Sequence, residues 1–125
     1  MAKIPDGKKR ILYVEDHQDT AALVAMLLCD YEVVVAGNKA EGLRRAVGEY
    51  FDLYIFDYEL PDGTGFELCL LVRTKDNTTP IVICTGSPAI TEQEAIAAGA
   101  QRFIKKGDEF VESLEAATSQ FLSIA

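Results

Sequence analysis

Short apolar runs alternate along the whole chain with longer stretches of helical period. Runs rich in β-branched and aromatic residues fall at Arg10–Glu15, Tyr31–Ala36, Asp52–Asp57, Pro80–Thr85 and Gln101–Lys105, the composition expected of buried strands. Between and after them, Asp19–Leu28, Lys39–Val47, Gly65–Arg73, Glu92–Ala98 and Glu109 to about Ser123 read as helices. Val24, Leu27, Leu28 and Tyr31 stand at i, i+3, i+4 and i+7, and Phe110, Leu114, Ala117 and Phe121 repeat a similar stripe. Each of these helices therefore has one face to bury on a sheet. Asn38 with Glu41, and Thr91 with Glu94, have capping-box spacing, and Gly99 is placed to end the fourth helix. Such a run of β-α units predicts an α/β fold around a five-stranded parallel sheet.

Strand composition suggests an order. The first, third and fourth strands are continuously apolar (Ile11–Val14, Leu53–Phe56, Ile81–Cys84), as central parallel strands should be. The second and fifth carry Glu32, Arg102 and Lys105, and charged residues favour edges. The order 2-1-3-4-5 satisfies both, with right-handed crossovers placing helices on both faces.

At 125 residues, of which 49% are hydrophobic and 26% charged, the chain fits one globular domain. The expected organisation is a lead over 1–9 and a single domain over 10–125, with no output domain. The net charge of −8 repels a phosphate backbone, which predicts no direct nucleic-acid partner. The apolar run Ala21–Cys29 is far shorter than the roughly 18 residues needed to span a bilayer, so no membrane association is expected. Cys29, Cys69 and Cys84 are too widely spaced for a C-x-x-C site and read as reduced, buried thiols, which points to a cytoplasmic location. The lone histidine, His17, reads as a surface or capping residue rather than a metal ligand.

In an open α/β sheet, ligands bind outside the carboxyl ends of the strands where the strand order reverses, here between the first and third strands. The first strand ends in Glu15-Asp16 and the third in Asp57. Converging carboxylates repel one another, and protonation or a divalent cation would relieve the repulsion. Oxygen ligands with room for waters suit Mg²⁺. The fourth and fifth strands end in Thr85 and Lys105-Lys106, adding a hydroxyl and an ammonium at the same edge. An aspartate nucleophile, a metal, a Lys and a Thr together would stabilise charge on a phosphoryl group in transfer.

Over about Arg10 to Phe121 the sequence resembles the receiver domain of two-component response regulators. The resemblance rests on Ile11–Asp16, on Asp57-Tyr58-Glu59-Leu60-Pro61 followed by Gly65, on Pro80–Gly86 and on Gly99–Lys106. It implies the flavodoxin-like fold and a phosphoacceptor signalling domain rather than a turnover enzyme. Asp57 would take a phosphoryl group from a histidine kinase or a histidine phosphotransfer protein. By the same resemblance Glu15, Asp16 and Asp57 hold Mg²⁺ with the Glu59 backbone carbonyl, Thr85 is the switch hydroxyl and Phe103 the switch aromatic. Family spacing selects Lys106 over Lys105 as the phosphate-contacting lysine.

This chain departs from the family at Gly107, where proline preceded by a cis peptide is usual. A cis bond before a non-proline residue costs about 2.5–4 kcal/mol, which predicts a trans bond here or a strained cis bond held by its surroundings. A Glu-Asp acid pair in place of Asp-Asp lengthens one arm of the metal site. Glu59 and Ser87 overlook the path of a hydrolytic water, and Tyr58 would cover the site. The rival readings are a small aspartyl-phosphate phosphatase, for which the chain lacks material for a cap, and a flavin carrier, whose phosphate Glu15–Asp19 would repel. A pseudo-receiver that binds partners without phosphorylation is the alternative that Gly107 keeps open. Asp108, Glu109, Glu112 and Glu115, with no Lys or Arg after Lys106, give the last helix and its lead-in an acidic face suited to a downstream protein target.

Overall fold

The computed structural model describes residues 7–122. Its elements run β1 (Arg10–Val14), α1 (Gln18–Leu27), β2 (Glu32–Ala36), α2 (Lys39–Gly48), β3 (Leu53–Asp57), β4 (Glu59–Leu60), β5 (Gly63–Thr64), α3 (Gly65–Arg73), β6 (Ile81–Thr85), α4 (Glu92–Ala98), β7 (Arg102–Lys105) and α5 (Phe110–Leu122). The first six residues of the expected lead, and Ser123 at the expected end of the last helix, lie outside the described residues.

The main sheet is parallel in all four pairings and ordered β2-β1-β3-β6-β7, which is the expected 2-1-3-4-5 once β4 and β5 are set aside. Every residue of β3 and β6 is buried, whereas β2 and β7 each expose charged side chains at the two edges. Strand alternation divides the core. Leu12, Val14, Tyr54, Phe56, Ile81 and Ile83 face α2, α3 and α4; Ile11, Tyr13, Leu53, Ile55, Val82, Cys84 and Ile104 face α1 and α5.

Local signals set the helix ends. His17 caps α1 by accepting the Thr20 N–H, Asn38 caps α2, and Thr91 with Glu94 forms a full capping box on α4. Gly99 closes α4 at φ 110°, in the left-handed region that favours glycine. The expected ends of most elements move by one residue, as boundaries drawn from hydrogen bonds commonly do.

Two features differ from the expectations. Cys29 is exposed just beyond α1, and only Cys69 and Cys84 are buried: the helix stripe that buries Val24 and Leu28 turns the next residue outward. Glu59–Leu60 and Gly63–Thr64 form a small antiparallel hairpin between β3 and α3, too short for a periodicity signal. Its turn residue Asp62 accepts the N–H groups of Lys39 (2.6 Å) and Ala40 (2.9 Å), anchoring the loop on the first turn of α2.

Candidate functional site

The alternation that divides the core also aims the residues just past the strand ends. Glu15 continues the Ile11, Tyr13 face; Asp57 continues Leu53, Ile55; Lys106 continues Ile104. Thr85 continues Ile81 and Ile83 toward the other layer, the side on which Phe103 packs. Lys106 is accordingly half-buried and Lys105 exposed.

Lys106 Nζ lies 2.7 Å from Asp57 Oδ1 and 2.7 Å from Glu15 Oε1. Both carboxylates are buried, while Asp16 is exposed at the rim. Glu15 has two more donors: the Tyr13 hydroxyl to Oε1 at 3.0 Å and the His17 N–H to Oε2 at 3.2 Å. Carboxylate oxygens of Glu15, Asp16 and Asp57 lie within 4.8 Å of one another. Burial, together with the charges of Glu15 and Asp16, pushes the Asp57 carboxyl up to about 6 against the pull of Lys106. Burial draws the Lys106 ammonium down, but its bonds to Asp57 and Glu15 outweigh that and leave it raised. The sequence reading offered protonation or a metal as relief for clustered acids; the fold adds a third, an ammonium bridging two of them.

Backbone bonds hold the site's frame. The Lys106 N–H donates to Thr85 O at 2.8 Å, and the Tyr58 N–H to Cys84 O at 2.7 Å, so the sheet ladder continues past both strand ends. No cis peptide bond occurs among the described residues. The Lys106–Gly107 bond is therefore trans, and Lys106 still reaches Asp57. The Gly65 N–H donates to Tyr58 O, and a Cβ at Gly65 would stand 2.5 Å from Asp57 O, so only glycine lets α3 start this close to β3.

Of the other expected site residues, Thr85 is fully buried and its Oγ1 accepts the Ser87 N–H at 3.0 Å. The Glu59 side chain is exposed on the hairpin, and Tyr58 packs edge-on against Phe66, with ring centroids 4.9 Å apart. Two contributors escaped the sequence reading. Asp62 carried no pattern that could have shown its role. Tyr13 did: it stands two residues before Glu15 on the same strand face.

The family model described as "Response regulator receiver domain" matches residues 11–118. The chain belongs to this family. Receiver domains of known structure superpose on it closely: chemotaxis response regulator CheY4 of Vibrio cholerae is 31% identical, with a TM-score of 0.83 over 92% of this chain and 99% of that one. Response regulator TrrA of Thermotoga maritima, solved in complex with Mg²⁺-BeF, is 27% identical with a TM-score of 0.82, covering 91% of this chain and 99% of that one. Among curated proteins, response regulator ArlR of Staphylococcus epidermidis is 36% identical over 107 residues, covering 83% of this chain and 48% of that protein. The chain thus spans about half the length of the curated relatives it matches. No helix among the described residues is long and apolar enough to cross a membrane.

The receiver's acid cluster fits a small divalent cation by donor chemistry. Three hard carboxylates converge, one at the solvent rim where coordinated waters have room, and a cation there would take over the charge compensation that Lys106 alone now supplies.

Proposed function

We propose that this receiver domain accepts a phosphoryl group on Asp57 in a Mg²⁺-dependent reaction and thereby switches a protein-binding surface. The observation that carries the reading is the buried Asp57 carboxylate, 2.7 Å from the Lys106 ammonium and within reach of two further acids. Asp57 is the nucleophile: one carboxylate oxygen bonds to phosphorus as the P–N bond of a donor phosphohistidine breaks, and the leaving imidazole takes up a proton. Glu15 and Asp16, with the Glu59 backbone carbonyl, would hold Mg²⁺. The bound cation supplies charge neutralisation between the carboxylates and the incoming phosphoryl oxygens.

Lys106 moves with the charge. Its ammonium neutralises Glu15 and Asp57 before transfer and follows the new negative charge onto a phosphoryl oxygen afterwards. Thr85 would donate its hydroxyl to another phosphoryl oxygen, with Phe103 following it inward. That couples Asp57 to the surface of α4, β7 and α5, whose acidic residues suit a basic protein partner. A histidine kinase or histidine phosphotransfer protein in the cytoplasm is the expected donor, and the domain consumes one phosphoryl group per event rather than turning over a substrate.

Intact-mass measurement after incubation with acetyl phosphate tests this. Mass should rise by one phosphoryl group with Mg²⁺, and stay unchanged with chelator or in Asp57→Asn. Labelling that persists in Asp57→Asn would overturn the assignment. Lys106→Ala should impair phosphorylation or the response to it far more than Lys105→Ala, whose side chain points to solvent.

A further inference from the structure

The Glu15 carboxylate is held by three donors, and two of them, the Tyr13 hydroxyl and the His17 N–H, have no part in the reaction just described. We propose that Tyr13 is a positioning residue for the metal site, its hydroxyl holding Glu15 in the orientation from which a divalent cation binds. The inference rests on the metal-site reading above.

Tyr13 is fully buried in the layer facing α1 and α5, where phenylalanine would fill the same space and bring no hydroxyl to satisfy. Its hydroxyl donates to Glu15 Oε1 at 3.0 Å while the His17 N–H takes Oε2 at 3.2 Å, so the carboxylate is held at both oxygens. That hold matters because glutamate has one more rotatable bond than aspartate to fix before its oxygens face a cation. The third donor, Lys106 Nζ on the same Oε1, is also bound to Asp57 and leaves Glu15 when a cation or a phosphoryl group changes the local charge. Tyr13 and the His17 amide then keep the arm in place. Outer contacts of this kind alter metal affinity about 10- to 100-fold when removed.

The test is Mg²⁺ titration of the full chain by calorimetry, at a temperature where all variants are folded. Tyr13→Phe should weaken Mg²⁺ binding about tenfold. In a Glu15→Asp background the shortened arm no longer reaches the hydroxyl, and the same Tyr13→Phe change should alter affinity less than about twofold. Equal losses in both backgrounds would make Tyr13 a general core residue and overturn the inference. So would a Tyr13→Phe affinity equal to wild type. A wild-type chain that takes up no Mg²⁺ would overturn the site reading itself, which keeps the two failures distinct. A second measurement needs no variant to fold as the test: in wild-type chain with ¹³Cζ-labelled tyrosine, the Tyr13 resonance should move along the Mg²⁺ titration, and one that stays fixed overturns the proposal.

Discussion

The two ends of the sheet hold carboxylates in opposite conditions. At the end where β1 and β3 begin, Asp52 and Asp76 are each satisfied by more than one donor. Asp52 accepts the Arg10 N–H at 2.7 Å and the Tyr50 hydroxyl at 3.0 Å. Asp76, in the loop before β6, accepts two backbone N–H groups and the hydroxyls of Tyr54 and Thr79. At the other end Asp57 and Glu15 share one lysine, and Asp16 adds a third negative charge. The outcome is opposite in sign: although partial burial opposes it, those hydrogen bonds bring the Asp76 carboxyl down to about 2, whereas burial pushes Asp57 up to about 6.

One strand, β3, therefore joins a fastened end to an under-neutralised one. Donors matched to acceptors fix a geometry and leave nothing to react; acids outnumbering cations leave a carboxylate that gains by binding a metal or a phosphoryl group. The fastened end secures the strand whose far end is left charged, so stability and reactivity are separated by the length of the sheet.

The comparison is broken most forcefully at Arg10. Its guanidinium donates to Tyr50 O at 2.8 Å and Glu49 Oε1 at 3.0 Å, pairs with Glu32 and lies over the Phe51 ring, 4.7 Å from its centroid. Arg10→Ala leaves Glu49 and a half-buried carbonyl short of donors and should cost about 3 kcal/mol of stability in chemical denaturation. Phosphorylation of the folded fraction should be unchanged. A comparable loss of phosphorylation would show that the two ends are not separate.

At the other end, removing charge should do the reverse. Unfolded Asp57 ionises near pH 4, while the folded carboxyl keeps its proton to about pH 6. Between those values the folded state binds more protons, so the Asp57 contribution falls as pH rises and is lowest above pH 6. In chelator at pH 7.5, Asp57→Asn should be more stable than wild type by about 2 kcal/mol. That gain should shrink toward zero as pH is lowered from 6 to 4. A destabilised Asp57→Asn, or a gain that ignores pH, would contradict the picture of an under-neutralised site.

The two ends also differ in how legible they were. The acid cluster announced itself, because Glu15-Asp16 and Asp57 close apolar runs whose order was readable from Glu32, Arg102 and Lys105 at the edges. Family spacing singled out Lys106 over Lys105, and the fold supplies the physical reason: Ile104 is buried in the layer of α1 and α5, and the residue two positions on shares its face. What stayed hidden was who compensates the charge. That Lys106 bridges Glu15 and Asp57 depends on three strands meeting, and neither Tyr13 nor Asp62 belongs to a charge pattern. The fastened end was hidden for the same reason, since Arg10 read only as the start of a strand and Asp76 fell between the expected elements. The Arg10 bonds reach across 40 or so residues, from β1 to the α2–β3 turn, and the Tyr54 hydroxyl reaches Asp76 from 22 residues away; no local pattern encodes either.

The smallest expected effect sharpens the comparison by its sign. Asp76 is depressed by hydrogen bonds from Thr78, Thr79 and Tyr54, so its ionised form favours the folded state. Above the unfolded value near pH 4 that contribution is complete; as pH falls toward about 2 the folded carboxylate protonates too and the contribution disappears. Solvent screening of this partly exposed loop keeps it modest, and Asn retains one acceptor for the threonine amides. Asp76→Asn should therefore cost about 1 kcal/mol at pH 7, with Mg²⁺ binding and phosphorylation untouched. The difference from wild type should narrow between pH 4 and pH 2, a window below the one in which Asp57→Asn changes its own advantage. Parallel urea titrations of the two variants across pH 7.5 to 2 measure this directly. Two curves that diverge from wild type in opposite directions, in separate pH windows, are the expected signature; two that shift together would mean the ends of the sheet titrate as one unit.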